Sequence, residues 1–314
     1  MTSPSCPRTR RRLTGLALLA ALTLLMAGCG AASNPSAPAG TIMAVGAENE
    51  YANVIEQIGG RYVKVTAIES NPNTDPHTFE ASASVAEAVS AASLLVENGV
   101  GYDTYMEKIE SGSSSSSRKV INVQRLLGLP DSTPNPHLWY KPETMPALAR
   151  ALVSDLSALQ PAHAAYFQEN ARRFDESLKP WYAAIAKFKA AYPNTPVATT
   201  EPVGDYMLEA AGTRNMTPFT LQASIMNGTD PAPQNVTLQN GLFSRHRVKV
   251  FVYNQQVTDS LTASFKQAAR RAGVPVVGVY ETMPTPGYDY QSWMLAEIGA
   301  LEKAVADGAS TEKL

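Results

Sequence analysis

The stretch Asp75-Pro76-His77-Thr78-Phe79-Glu80 has a counterpart later in the chain, Asn135-Pro136-His137-Leu138-Trp139. In each stretch a histidine directly follows a proline, although the whole chain has only four histidines. Proline fixes its own φ angle and favours an extended conformation at the residue before it, so each imidazole should lie on a stiff loop. One such histidine alone is most simply an inert, hydrogen-bonded loop residue. Two with the same local chemistry predict a pair of metal ligands, because a metal ion tolerates little positional error.

Hydrophobic patterning around these two motifs predicts alternating strands and helices. The pattern runs over residues 41–160 and starts again over residues 192–314, and it is typical of α/β lobes with mostly parallel sheets. Ligands of such sheets bind at the carboxyl ends of the strands. His77 and His137 both follow predicted strands, so we expect them at such ends.

A long helical stretch separates the two predicted lobes. Residues 161–191 carry an apolar stripe on one face and charges on the other. Pro180 lies within this stretch and should either kink one linker helix or split it into two. The predicted fold class is therefore α/β, with two lobes joined by a long linker helix and the site in the cleft between them. A chain of 314 residues is long enough for two lobes with a core each.

The second lobe offers carboxylates at the equivalent positions. Glu201 follows the predicted strand Val197 to Thr200, and Glu281 follows the predicted strand Val274 to Tyr280. Either glutamate alone is most simply an exposed loop carboxylate or a helix cap. Together with the two histidines they would place four potential ligands, two from each lobe, around one cleft.

The N-terminal segment has the pattern of an export signal. Arginines precede an apolar run from Leu13 to Met26, which is too short for a membrane span and typical of a signal peptide. The run ends in Met26-Ala27-Gly28-Cys29, which resembles the lipoprotein cleavage box with Met in place of the usual Leu. We expect residues 1–28 to be a lipoprotein signal peptide and residues 29–40 to be a flexible tether whose Cys29 is lipidated. An incidental cysteine after a simple signal peptide is the alternative, and both Sec and twin-arginine export remain open.

The composition limits the kinds of partner and the kinds of metal site that this chain can have. The 26 basic and 28 acidic residues nearly balance, so we expect no nucleic-acid partner. The only other cysteine, Cys6, lies in the predicted signal peptide. A mature protein without thiolates has no disulfide, and its metal site must be built from His, Asp and Glu.

These motifs together resemble the metal-binding lipoproteins of ABC importers for zinc and manganese. The resemblance covers essentially all of the mature chain, in order. Its matched features are the two histidine loops, Tyr51 to Asn53 with Ile58 to Gly60, Tyr166 to Asn170, Glu201-Pro202-Val203 with Tyr206, and Glu281 to Pro284. It implies two α/β lobes joined by a rigid helix, with one divalent metal ion, Zn²⁺ or Mn²⁺, between them.

The resemblance also implies the ligand set His77, His137, Glu201 and Glu281. Family members often have His at the third position and Asp at the fourth, and many zinc-type members carry a histidine-rich loop before the second Pro-His motif. This chain has Glu at both positions and no histidine from Arg125 to Asn135. Both departures weaken the expectation of zinc selectivity.

The function implied by the resemblance is that of an extracytoplasmic solute-binding protein, not an enzyme. It would act as a monomer, anchored to the cell membrane by Cys29 and facing the periplasm or cell exterior, and would deliver its metal to an ABC permease. An exported zinc hydrolase using His, His, Glu and a water molecule is one alternative. A binder of an organic ligand such as a siderophore is another. A fourth protein ligand and the absence of a His-Glu-x-x-His motif argue against the hydrolase.

Overall fold

The structure is a computed structural model and describes residues 40–314. The predicted signal peptide, Cys29 and all of the predicted tether except Gly40 lie outside the described residues. Within residues 40–314, no helix combines the length and the hydropathy that a membrane crossing requires.

The first lobe is built on a parallel sheet. Its strands are β1 (Ile42–Glu48), β2 (Val63–Glu69), β3 (Leu94–Glu97) and β4 (Lys119–Asn122), and its helices are α1 (Asn49–Gly59), α2 (Ala83–Ala91), α3 (Thr104–Gly112) and α4 (Val123–Leu126). The strands lie in the order β2-β1-β3-β4, and all neighbouring strands are parallel. All four carboxyl ends therefore lie along one edge of the sheet.

Three helices follow, α5 (Thr144–Leu159), α6 (Ala164–Ser177) and α7 (Lys179–Ala191). Of the two alternatives for the linker, the structure has two helices, with Pro180 in the first turn of the second. The break is slight, because Leu178 between them keeps near-helical angles of φ −80° and ψ −17°. Its amide still donates to the carbonyl of Phe174 at 3.3 Å. Helix α6 packs on α1 and α5 of the first lobe, so the break lies where the linker leaves that lobe.

The second lobe repeats the parallel arrangement. Its strands are β5 (Pro196–Thr199), β6 (Arg214–Asn215), β7 (Val250–Asn254) and β8 (Val276–Val279), and its helices are α8 (Asp205–Ala210), α9 (Phe219–Met226), α10 (Pro233–Ser244), α11 (Ser260–Arg271) and α12 (Tyr290–Asp307). The parallel strand order is β6-β5-β7-β8. The two sheets confirm the predicted fold class, whereas the sequence did not predict the short strand β6 or the individual helices α3, α4, α9, α10 and α12.

One hydrophobic core passes through both lobes. The largest buried cluster includes Leu94 of β3, Trp181 of α7 and Trp293 of α12. Smaller buried clusters cover the other face of each sheet. Across the lobes, the Tyr140 hydroxyl donates to the Tyr280 carbonyl at 2.8 Å. The lobes are thus packed against each other through buried, largely aromatic side chains as well as through the linker.

Gly46 of β1 lies where the backbone of α1 packs directly on the sheet. A Cβ atom at this position would lie 2.7 Å from the Cα atom of Ala52, so the α1 backbone would have to shift. We expect Gly46→Ala to lower the free energy of unfolding by about 1–3 kcal/mol, the usual cost of overpacking. Denaturant unfolding followed by circular dichroism measures this change.

The matched control is Gly299→Ala in α12, where an added Cβ would meet nothing within 4 Å. Because alanine suits a helix interior better than glycine, this control should stabilise the protein by about 0.5–1 kcal/mol. Equal unfolding midpoints for the two variants would contradict the close approach at Gly46.

Candidate metal centre

His77 lies in a short helical turn, Pro76–Thr78, in the loop after β2. Asp75 caps this turn, because its Oδ1 atom accepts a hydrogen bond from the His77 amide at 2.9 Å. The Thr78 hydroxyl donates to the Asp75 carbonyl at 2.8 Å. The proline and the Asp75 cap therefore fix the loop locally, as the sequence predicted. The His77 side chain is 23% exposed, which makes it the more accessible of the two motif histidines.

His137 is completely buried and is oriented by Asn135. The Asn135 Oδ1 atom lies 3.0 Å from the His137 amide nitrogen and 2.7 Å from Nδ1 of its ring. The Asn135 side-chain nitrogen donates to the Pro202 carbonyl of the second lobe at 2.8 Å. An amide oxygen can only accept, so Nδ1 carries the hydrogen and Nε2 of a neutral His137 keeps its lone pair.

Glu281 follows β8 and is completely buried. Its Oε2 atom lies 3.2 Å from Nε2 of His77 and 3.1 Å from Nε2 of His137. Its other oxygen, Oε1, accepts from the Asn254 side chain at 2.7 Å. The Tyr102 hydroxyl donates to Oε2 at 3.0 Å. Both lobes therefore place polar groups around this one carboxylate.

Three of the four predicted ligands form a cluster with the spacing of a metal site. One donor atom from each of His77, His137 and Glu281 lies within 4.8 Å of the other two. Bonds of about 2.0–2.1 Å to a tetrahedral ion would separate its ligand atoms by about 3.3 Å. The two separations in the structure, 3.1 and 3.2 Å, are close to that value. The site can therefore hold one small divalent cation.

Glu201 lies close to this cluster without joining it. It follows β5 as predicted and is 2% exposed. Its Oε1 atom accepts from the same Asn254 side-chain nitrogen that binds Glu281, at 3.1 Å, so the amide lies between the two carboxylates. Its Oε2 atom is buried and has no hydrogen-bond partner among residues 40–314. The prediction that Glu201 binds the metal directly stays a prediction.

The electrostatics of the cleft concentrate negative charge on Glu281. Burial would raise its pKa, but hydrogen bonds from His137 and His77 hold that pKa well below its ordinary value. Burial and the charge of Glu281 together raise the pKa of Glu201 well above its ordinary value. A divalent cation bound nearby would lower the pKa of Glu201 again, because a positive charge favours the ionised carboxylate.

The pKa values of the two imidazoles shift in opposite directions. Burial lowers the pKa of His77, but the hydrogen bond and charge of Glu281 more than offset this effect and raise the pKa above its ordinary value. Burial prevails at His137, and its pKa is lowered. A protonated His137 donates a hydrogen bond from Nε2 to Oε2 of Glu281 at 3.1 Å, whereas the neutral form with its hydrogen on Nδ1 presents a lone pair there. In the neutral form the two acceptor atoms repel each other unless a cation lies between them, and at both histidines a metal ion competes with a proton for Nε2.

The other residues of the two histidine motifs, and the two remaining histidines, do not belong to the cluster. The Trp139 ring lies edge-on to His137 at 5.4 Å, and Glu80 is exposed. His163 stacks on Tyr62 at 3.7 Å, and His246 is exposed, so neither belongs to the cluster.

Sequence reasoning missed four polar residues of the site: Tyr102, Asn135, Asn254 and Gln256. Gln256 connects the two lobes, because its side-chain nitrogen donates to the Thr74 carbonyl at 2.7 Å while its Oε1 atom accepts from the Glu281 amide at 2.6 Å. The sequence did contain a signal for Asn254 and Gln256, because both lie at the carboxyl end of the strand β7. Ligands of parallel sheets bind at such ends.

Comparison with known proteins gives a family and several structures of the same fold. A family model described as zinc-uptake complex component A periplasmic matches residues 45–304. The manganese-binding lipoprotein MntA of Bacillus subtilis is 25% identical over 163 residues, which are 50% of this chain and 53% of that protein. The chain thus spans about half the length of this curated relative.

Solved structures share the fold. The periplasmic zinc binding protein TroA from Treponema pallidum has a TM-score of 0.71 at 18% identity, covering 86% of this chain and 100% of that chain. A manganese-bound periplasmic metal binding protein from Candidatus Liberibacter asiaticus has a TM-score of 0.69 at 18% identity, covering 84% and 100%. The family model extends over most of residues 40–314, including all four predicted ligands, so this chain belongs to the family of zinc-uptake complex component A periplasmic proteins.

Proposed function

We propose that this protein is an extracytoplasmic solute-binding protein that captures one divalent transition metal ion, Zn²⁺ or Mn²⁺, and delivers it to an ABC permease. The observation that carries the proposal is the close approach of Nε2 of His77 and Nε2 of His137 to one buried oxygen of Glu281. Family membership and relatives named for zinc and manganese support it. The ion is cargo, so the site has to release it as well as bind it.

The proposed ligands are His77, His137 and Glu281 through Oε2, with Glu201 as the fourth. Glu201 is included because its Oε2 atom is a buried acceptor without a partner among residues 40–314, and such an atom in a native structure calls for an explanation such as an ion. The Asn254 amide holds the opposite oxygen of each glutamate. Each carboxylate would therefore bind the ion through a single oxygen.

The donor set bears on the choice of metal. Two imidazoles suit Zn²⁺, and two carboxylate oxygens suit Mn²⁺. The Irving–Williams order places Mn²⁺ lowest, so we expect tighter Zn²⁺ binding in the test tube whichever ion is the cargo in the cell. Four protein ligands leave little room for a metal-bound water, which favours binding over the hydrolysis that an exported zinc enzyme would perform.

The cellular setting follows from the same proposal. Lipidation at Cys29 would anchor the protein as a monomer to the outer face of the cell membrane, where a permease could receive the ion. The relative from Bacillus subtilis, itself described as a lipoprotein, supports the anchor.

Removing either motif imidazole should nearly abolish metal binding. We expect His77→Ala and His137→Ala each to weaken Zn²⁺ affinity by more than about 100-fold, because loss of groups that merely support a ligand already costs about 10–100-fold. Isothermal titration with Zn²⁺ measures affinity, and a thermal melt of the metal-free protein checks that each variant is folded.

The matched control is His246→Asn, which removes an exposed imidazole at a position with φ of 49° that asparagine tolerates. Its Zn²⁺ affinity should equal that of the wild type. Wild-type affinity in His77→Ala or in folded His137→Ala would refute the ligand assignment.

Replacing Glu201 with histidine should shift selectivity toward zinc. The change removes an oxygen donor and adds a nitrogen donor, so we expect the ratio of Zn²⁺ to Mn²⁺ affinity to rise by about tenfold or more. Competition titrations of wild type, Glu201→His and Glu201→Gln measure the ratio. If neither substitution changes either affinity, Glu201 does not bind the ion.

Metal binding should close the lobes only slightly. The nearly continuous linker helices and the shared aromatic core both resist bending. We expect the radius of gyration to change by less than about 1 Å, as is usual for preorganised binding sites. Small-angle scattering with and without Zn²⁺ tests this, and a large compaction typical of wide-hinged binding proteins would contradict it.

A further inference from the structure

Tyr102 is the residue that contacts all three clustered ligands. Its hydroxyl donates to Oε2 of Glu281 at 3.0 Å. Its ring lies edge-on to the rings of His77 at 5.3 Å and His137 at 5.9 Å, and it packs at 5.1 Å on Trp139. No motif or ligand assignment above includes Tyr102, yet it is in direct contact with the donor atom on which the proposed site converges.

The loop that carries Tyr102 has an unusual backbone. Residues 99–101 have three successive positive φ angles of 79°, 55° and 73°, and the middle one belongs to a β-branched residue, Val100. Such a conformation is costly and persists only where surrounding structure holds it. Here Asp103 accepts from the Gly99 amide at 2.9 Å, and Gln124 accepts from the Val100 amide at 2.7 Å. The fold thus maintains a strained loop directly before Tyr102.

Each oxygen of Glu281 consequently has one neutral, fixed donor from the protein. The Asn254 amide holds Oε1 at 2.7 Å, and the Tyr102 hydroxyl holds Oε2 at 3.0 Å. A metal ion bound at Nε2 of both histidines displaces any hydrogen that these imidazoles present to Oε2. The Tyr102 hydroxyl is uncharged and can keep its hydrogen bond to the remaining lone pair of that oxygen.

We propose that Tyr102 is a specificity-determining residue that positions Glu281 for coordination through one oxygen only. To bind through both oxygens, the carboxylate would have to rotate and bring Oε1 to the ion, which breaks its hydrogen bonds to Asn254 and Tyr102. Zn²⁺ is satisfied by four ligands, whereas Mn²⁺ gains from additional oxygens. Tyr102 therefore limits the coordination number and disfavours Mn²⁺ relative to Zn²⁺. This inference rests on the proposed function.

The variant Tyr102→Phe tests the inference, because it keeps the ring and removes only the hydroxyl. We expect Zn²⁺ affinity to fall by about 10–100-fold, the usual effect of losing a hydrogen bond to a metal ligand. Mn²⁺ affinity should fall less or rise, so the ratio of Mn²⁺ to Zn²⁺ affinity should increase. Competition titration gives the ratio.

The absorption spectrum of bound Co²⁺ supplies a second readout that a merely structural role would not move. Four-coordinate Co²⁺ absorbs visible light much more strongly than six-coordinate Co²⁺. The absorption should therefore weaken in Tyr102→Phe, because one of the two hydrogen bonds that oppose coordination of Glu281 through both oxygens is lost.

The matched control is Tyr105→Phe, which removes a phenol hydroxyl three residues further on that lies near the Ala47 carbonyl rather than Glu281. It should leave the affinity ratio and the Co²⁺ spectrum unchanged. If Tyr102→Phe also leaves both unchanged while the wild type binds metal through His77 and His137, the positioning role is wrong and the proposed function stands. If the wild type binds neither Zn²⁺ nor Co²⁺, the proposed function itself fails.

Discussion

The buried carboxylate of Glu281 is the constraint on which the cleft depends. An ionised carboxylate without partners is very costly to bury, and Glu281 is completely buried. Its partners come from both lobes, with His77, His137 and Tyr102 on one side and Asn254 on the other. The lobes therefore have to meet at this point for the charge to be tolerated, and the same convergence creates the metal site.

The net pKa shift of neighbouring carboxyl groups is opposite to that of Glu281. Burial raises the pKa of Glu48 and Glu50 well above the ordinary value, as it does for Glu201. No hydrogen-bond partner occurs within residues 40–314 for the side-chain oxygens of Glu48 and Glu50. Burial therefore disfavours the ionised form of these three groups, whereas hydrogen bonds from the histidines hold the pKa of Glu281 low. The cleft thus favours negative charge on the carboxylate that faces both histidines.

The fold keeps this arrangement rigid at two levels. Locally, the side chains of Asp75 and Asn135 each accept a hydrogen bond from the amide of the histidine two residues further on. Globally, the lobes share an aromatic core, and the Tyr290 hydroxyl of α12 donates to the Trp139 carbonyl at 2.6 Å beside His137. Because these side chains are already fixed, little conformational entropy is lost when the metal binds. The same packing opposes a wide hinge motion between the lobes.

Local sequence signals determined a large part of this description. Hydrophobic periodicity predicted two parallel α/β lobes and the helical linker, because strand and helix periods are properties of short segments. The Pro-His motifs predicted stiff histidine loops for the same reason. Loops at the carboxyl ends of β2 and β8 carry His77 and Glu281 to the cleft between the two sheets, whereas His137 lies beyond α4 and not, as predicted, directly at a strand end.

Tertiary structure alone decided how the strand ends meet. Glu201 was expected beside the other ligands, and only the packed structure shows the Asn254 amide between it and Glu281. Tyr102 and Glu281 are 179 positions apart, so no local pattern could reveal their hydrogen bond. The physical reason is that periodicity and proline stiffness act over a few residues. Distances between side chains of different strands depend instead on how both lobes pack around the shared core.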